Sequence, residues 1–255
     1  MRAVKRRHVL LLGAALVAGP AQAIPDPSRD VLWVALQGCI LMKETTGRTF
    51  PCLSVDLAHK DHPGTAVMRA PGEPTHIIVM PTRRTSGIEA PDLQHGLGNI
   101  LWRAALTNRH RVTDALKDAL PVEDVGIAIN SMGGRSQDQL HIHIDCINPV
   151  ARAALRDRTQ HVQGSWVLVT PSLLGSRFFA MRIKSQEAEG FNPFVALARV
   201  PGRTAGLRDV SFAAFSTPSN DPDKGYILLA YRSSGSHAEK LLDHTCAIAS
   251  KTAAR

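Results

Sequence analysis

The segment Gln139-Leu140-His141-Ile142-His143-Ile144-Asp145-Cys146 constrains this chain more than any other. Its polar and apolar residues alternate strictly, and side chains along a strand point to opposite faces in turn. Read as a strand, it sends Gln139, His141, His143 and Asp145 to one side and Leu140, Ile142, Ile144 and Cys146 to the other. The sheet it belongs to is then apolar behind and ionisable in front. A solvated polar face is the ordinary origin of such alternation. Two histidines with Gln and Asp beside the glycine-containing loop 131–136 point instead to chemistry. Alternate strand histidines can also share a zinc ion with a carboxylate, but no third and fourth ligand stand out.

The rest of the pattern gives that strand its neighbours. Short apolar runs at 75–81, 125–130, 166–170, 178–183, 210–215 and 226–231 read as strands. Helical patterns cover 29–41, 92–120, 150–158 and 192–199, with another from His237 onward. The stretch 47–74 is punctuated by Pro and Gly and reads as irregular. The expected class is α+β, an antiparallel sheet with packed helices, with two fused strand-and-helix halves as an option. At 255 residues and 44% apolar content the chain can bury a substantial core.

The N-terminus carries Arg2, Lys5, Arg6 and Arg7, then an apolar run over 9–18 and the small-residue site Ala21-Gln22-Ala23. This is the layout of an export signal, and the run is shorter than the roughly 20 residues a membrane-spanning helix needs. Residues 1–23 are therefore expected to be a signal peptide or an N-terminal membrane anchor, and 24–255 the functional domain. Losing 1–23 removes four positive charges and no negative ones, taking the formal net charge from +8 to +4. So mild an excess speaks against a nucleic-acid partner, and suits an anionic substrate or a membrane surface. In an oxidising compartment the four cysteines point to two disulfides. Three pairings are open; the favoured one joins Cys39 to Cys52 and Cys146 to Cys246.

The run 139–146 resembles the histidine-triad signature of alternating histidines. Its surroundings, Ala128-Ile129-Asn130-Ser131 through Gly134-Arg135-Ser136-Gln137 to His141-Ile142-His143-Ile144, resemble the bacterial CDP-diacylglycerol pyrophosphatases. Val79-Met80-Pro81-Thr82, Asn192-Pro193-Phe194 and the four-cysteine layout extend the likeness over most of residues 29–250. Gln139 departs from it, standing where the first triad histidine would be. The resemblance implies a histidine-triad-like fold and hydrolysis of a nucleotide-activated phospholipid in the periplasm, free or anchored to the inner membrane, with neither metal nor other cofactor. It makes His141 the nucleophile and His143 its acid–base partner; an alternative frame makes His143 the nucleophile and Asp145 the third member. Gln139, Asn130, Arg135, Ser136 and Gln137 become candidate substrate donors. Other functions stay open at this point: a histidine-triad hydrolase or transferase of soluble nucleotides, or a non-catalytic periplasmic nucleotide-binding protein. Phe178, Phe179, Phe191 and Phe194 read first as core and second as an acyl-chain cleft.

Overall fold

A computed structural model of the protein describes residues 26–60, 62–202 and 206–252; the expected export segment lies outside the described residues. Among these, nine strands form one sheet: β1 (Ser54–Asp56), β2 (Thr65–Arg69), β3 (Ile77–Pro81), β4 (Val125–Ile129), β5 (Ile142–Cys146), β6 (Val167–Leu168), β7 (Phe179–Lys184), β8 (Val210–Ser216) and β9 (Gly225–Arg232). Their order is β1-β2-β3-β5-β4-β8-β9-β7-β6, and every pairing is antiparallel. The expected α+β class with an antiparallel sheet is what forms.

The order repeats itself. β2, β3, β4 and β5 lie as β2-β3-β5-β4, and β6, β7, β8 and β9 lie as β6-β7-β9-β8, the two sets meeting at β4 and β8. The helices between β3 and β4 are α2 (Gly96–Asn108) and α3 (His110–Ala115); those between β7 and β8 are α5 (Ser185–Ala188) and α6 (Pro193–Leu197). Ala128 pairs with Ala213 at the join, and each has a partner on its outer side, His143 in β5 and Leu229 in β9. Leu229 is thus the counterpart of His143.

One face of the sheet is apolar throughout. Ile77, Val79, Ile127, Ile129 and Ile144 pack with Leu97, Leu101 and Trp102 of α2 and with Phe194 and Leu197 of α6. The other face is covered in two separate places. Over the second half, Ala128, Ala213 and Leu229 lie under Ala151 and Leu155 of α4 (Pro149–Arg158). At the first edge, Ala66, Met68, Ile78 and Met80 lie under Leu36 and Cys39 of α1 (Val31–Thr46). A gap between the two covers opens over the histidine side of β5, and that gap is the candidate site. Both disulfides secure the covers: Cys39–Cys52 ties α1 back to the chain entering β1, and Cys146–Cys246 ties the C-terminal segment to β5. This is the favoured pairing.

Several expected elements are corrected. The span 92–120 is no single helix: Pro91–Gln94 is a 3-10 turn, α2 and α3 follow, and Lys117 and Asp118 take left-handed backbones at φ 52° and 58°. His95 interrupts the span in extended geometry. The irregular stretch 47–74 contains β1 and β2, hidden because β2 buries Ala66 and Met68 on one face and Val67 on the other and so does not alternate. The run 166–170 yields the two exposed residues of β6, an edge strand rather than a core one. From His237 onward the chain forms a 3-10 turn, Glu239–Leu241, and then α7 (Ala247–Thr252). Among the described residues no helix is long and apolar enough to cross a membrane.

Candidate active site

The gap is a cleft of about 490 Å³ with two unlike walls. Val31, Leu32 and Ala35 of α1 with Met68, Pro71 and Ile78 make an apolar wall; His76, His141, His143, Asn130, Ser136, Gln137, His237 and Glu239 make a polar one. Two larger hollows, of 590 and 630 Å³, bring no histidines together.

His141 sits one residue before β5 and is buried. Its Nδ1 lies 2.7 Å from the Gln139 carbonyl. A carbonyl only accepts, so Nδ1 carries the proton and Nε2 is left with a bare lone pair. Burial lowers the His141 pKa below its ordinary 6.5, outweighing the hydrogen bond to Gln139. A neutral imidazole with one nitrogen pinned and the other free is the state a nucleophile needs.

His143 follows on the same face. Its Nδ1 faces Glu239 Oε1, a carboxylate oxygen that only accepts, at 3.1 Å, so Nδ1 carries the ring's proton and donates it across 2.9 Å to His76 Nε2; His76 Nδ1 meets the Glu73 carboxylate. The His143 Nε2 atom is buried, unprotonated by this reasoning, and without a hydrogen-bond partner among the described residues. Burial first, and the neighbouring His141 second, hold the His143 pKa well below 6.5. Its contact with Glu239 is therefore that of a neutral ring beside a carboxylate, not an ion pair.

The fixed positive charge is on His244. Its Nδ1 lies 2.8 Å from Asp145 Oδ2 and its Nε2 3.3 Å from Glu239 Oε1. With a carboxylate at each nitrogen, the Asp145 bond first and the Glu239 bond second, its pKa is raised to about 10. Burial alone would push the Glu239 carboxyl up. Hydrogen bonds from His244 and Asn130, with His143 nearby, outweigh burial and hold it well below the usual carboxylate range. Asn130 grips Glu239 twice: Nδ2 donates to Oε2 at 2.7 Å, and Oδ1 accepts from the backbone N–H at 3.2 Å. His76 stacks on His244 with ring centres 4.1 Å apart.

Glycine brings the loop 131–136 onto the C-terminal segment. A Cβ on Gly134 would stand 2.2 Å from the Ser236 carbonyl oxygen, so only glycine allows this approach. Ser131 N–H and Oγ both donate to that same carbonyl.

The expected site residues divide sharply. His141, His143, Asn130, Ser136 and Gln137 line the cleft. Gln137 also holds α1, accepting from Leu32 N–H and donating to the Ser28 carbonyl. Gln139 does not serve as a substrate donor: Nε2 donates to the Pro81 and Arg83 carbonyls and Oε1 accepts from Thr85 N–H, so its amide is consumed by the loop after β3. Arg135 is likewise committed, buried and paired with Glu89 at 2.7 Å and Asp138 at 3.3 Å. None of the four phenylalanines lines the cleft; Phe178 and Phe194 are core residues. Asp145, the third member of the alternative frame, is fully buried and bound to His244 and to Cys146 N–H.

Sequence reasoning missed Glu239 and His244 altogether. The available signal was two ionisable residues placed among Ala238, Leu241, Leu242 and a cysteine. His76, His143 and Glu239 place ligand atoms within 4.8 Å of one another, close enough to hold a divalent cation; in this structure a hydrogen bond joins the two histidines and Glu239 lies 3.1 Å from His143 Nδ1.

Comparison with known proteins gives one consistent result. The sequence model of a family described as CDP-diacylglycerol pyrophosphatase matches residues 27–250. The chain is 32% identical to a CDP-diacylglycerol pyrophosphatase of Yersinia pestis, covering 97% of this chain and 96% of that protein. It is 31% identical to one from Mycobacterium bovis BCG Pasteur, over 94% and 92%, and 30% identical to a probable one from Mycobacterium leprae, over 95% and 90%.

Proposed function

This chain belongs to the CDP-diacylglycerol pyrophosphatase family, and on that premise we propose that it cleaves the pyrophosphate of CDP-diacylglycerol through a covalent nucleotidyl intermediate on His141. As a member of that family it is a hydrolase acting on a phosphorus anhydride. The observation that carries the mechanism is the 2.7 Å bond from His141 Nδ1 to the Gln139 carbonyl, which leaves Nε2 as a neutral nucleophile at the cleft.

In the first step His141 Nε2 attacks the cytidylyl phosphorus. An N–P bond forms, the P–O bond to the bridging oxygen breaks, and phosphatidate leaves with the electron pair. In the second step water attacks the same phosphorus, the N–P bond breaks and CMP leaves. His143, neutral with a free Nε2, accepts the proton of that water; this makes it a base rather than a standing acid. Glu239 and His76 fix its ring through Nδ1. Ser136 Oγ and the backbone at Gly134 bind phosphate oxygens. The departure at Gln139 leaves the chemistry intact, because its backbone carbonyl orients His141 while its side chain braces a loop.

The repeated strand-and-helix order supports a histidine-triad-like fold built of two fused halves, with 24–255 as the catalytic domain. The apolar wall supports a lipid over a soluble nucleotide, which needs no such surface. Two disulfides support a catalytic domain outside the cytoplasm, exported to the periplasm by residues 1–23 and either freed or held at the inner membrane.

The test is turnover of CDP-diacylglycerol in detergent with chelator present, for the parent, His141→Ala and His143→Ala, with trapping of an acid-labile CMP–protein adduct. CMP release and adduct both vanish in His141→Ala, while His143→Ala accumulates adduct because its hydrolysis is slowed. An adduct that survives in His141→Ala and is lost in His143→Ala would overturn the assignment of the nucleophile.

A further inference from the structure

Helix α1 is apolar almost all round, which a helix lying on a protein surface normally is not. Leu36 and Cys39 face the sheet. Val31, Leu32 and Ala35 face the cleft. Val34, Gly38 and Leu41, spaced four and three residues apart, share an outward face that nothing among the described residues covers. Val34 is 66% and Leu41 59% exposed, and Phe50, just beyond the helix, is 77% exposed. Apolar exposure of this extent, gathered on one element, marks a contact surface.

We propose that the outward face of α1, together with Phe50, seats the protein on a phospholipid bilayer and turns the mouth of the cleft to the lipid. The inference rests on the reading of the substrate as a two-chain lipid. Such a molecule stays in its bilayer, so the enzyme must bring its histidines to the headgroup layer. The outward stripe runs directly into the cleft wall at Val31, so acyl chains leaving the cleft along α1 meet a mostly apolar surface, interrupted by the uncharged Gln37.

Two further observations select a bilayer as the occupant. The chain outside the described residues ends at Pro25, six residues before Val31, and its sequence includes the apolar run 9–18 behind four basic residues. Whatever that segment does at a membrane, it joins the protein at the end of α1 where the cleft opens. Between Val31 and Phe50 the charged residues are Lys43, Glu44 and Arg48, a net single positive charge at the end beside Phe50. That suits shallow apolar insertion under weakly attracted anionic headgroups.

The test places tryptophan at Val34, at Phe50 and, as a control of similar exposure on the helix across the cleft from α1, at Val150 of α4. Each full-length variant is mixed with phosphatidylcholine–phosphatidylglycerol vesicles carrying brominated acyl chains, and the emission of Trp33, Trp102 and Trp166 in the parent is subtracted. The proposal expects the added emission of Val34→Trp and Phe50→Trp to be quenched by half or more, and that of Val150→Trp to be unchanged. In the triple variant Val34→Asp, Leu41→Asp, Phe50→Ser, kcat/KM on vesicle-embedded CDP-diacylglycerol falls at least tenfold, while a short-chain, monomeric CDP-diacylglycerol is cleaved within twofold of the parent rate. Unquenched emission from vesicle-bound Val34→Trp and Phe50→Trp would overturn the proposal, as would a dimer that the triple variant dissociates. A parent that cleaves neither substrate would instead overturn the lipid-substrate reading, and the quenching would still decide the docking.

Discussion

The charged partner of the histidine strand β5 can be tested through stability. The His244 imidazolium lies between Asp145 and Glu239, with its pKa raised from 6.5 to about 10. A raised folded-state value stabilises the fold fully below the unfolded value and loses that contribution as pH rises through the folded value. At about 1.4 kcal/mol per pH unit the full effect would be about 5 kcal/mol. The His244 side chain is 28% exposed, so solvent screening reduces this to roughly 2–3 kcal/mol. Removing His244 alone would leave Asp145 charged and unpaired at 0% exposure, an added penalty. The clean perturbation is therefore the charge-free pair Asp145→Asn with His244→Gln. Urea unfolding of parent and pair, without reductant, should show a stability gap of roughly 2–3 kcal/mol at pH 6. It should narrow to about half near pH 8 and close above pH 10. In the parent Glu239, held well below the usual range, stays ionised across this window, and in the pair it keeps both Asn130 hydrogen bonds. A gap that is constant from pH 6 to above pH 10 would refute the reasoning, because the pair would then contribute packing and no charge.

Three other outcomes follow from the same contacts. Glu239→Gln removes the carboxylate charge facing His143 Nδ1 and lowers kcat on the order of 100-fold with KM little changed, read by steady-state kinetics; an equal rise in KM would mean that Glu239 binds substrate instead. Gln139→Ala strips partners from the Pro81 and Arg83 carbonyls and the Thr85 N–H, costing about 2–3 kcal/mol in urea unfolding while the KM of the folded fraction stays within twofold. Replacing Cys146 and Cys246 by serine, a bridge across 100 residues, should cost about 4–5 kcal/mol against about 3 for Cys39 and Cys52 across 13, by the chain-entropy estimate. The first pair should also lose more activity, because His244 lies two residues from Cys246.

What could be read from the sequence was whatever depends on local period. The alternation over 139–146 correctly put Leu140, Ile142, Ile144 and Cys146 in one core and the histidines on the opposite face. Two histidines two residues apart announced themselves; Glu239 and His244 could not, because they reach the site from about a hundred residues away through a turn with no period of its own. The polar residues flanking the motif were over-read for the same reason. Gln139 and Arg135 stand beside the histidines in sequence, but each meets partners from the segment 81–89, which local spacing does not reveal. Broken helices were over-joined where His95 and the left-handed pair Lys117 and Asp118 interrupt an otherwise continuous apolar pattern.

The repeated strand order explains why one molecule has one such cleft. If the two halves were equivalent in chemistry, β9 would present a second ionisable row where β5 has His143 and Asp145. By register it presents Leu229 and Tyr231, and Leu229 is fully buried beneath α4 with Ala151 and Leu155. The second half carries an apolar layer where the first has an ionisable row, and the chain after β9 packs on that layer before turning back over β5. That return path carries Asn130's partner Glu239 and, through the Cys146–Cys246 bridge, His244 onto the first half's histidines. The apolar half thus helps to bury the histidine half: Ala238, Leu241 and Leu242 of the returning segment pack in one core with Leu229, adding to the Cys146–Cys246 bridge and the Asn130 contacts that hold Glu239 near His143, whose burial keeps it neutral.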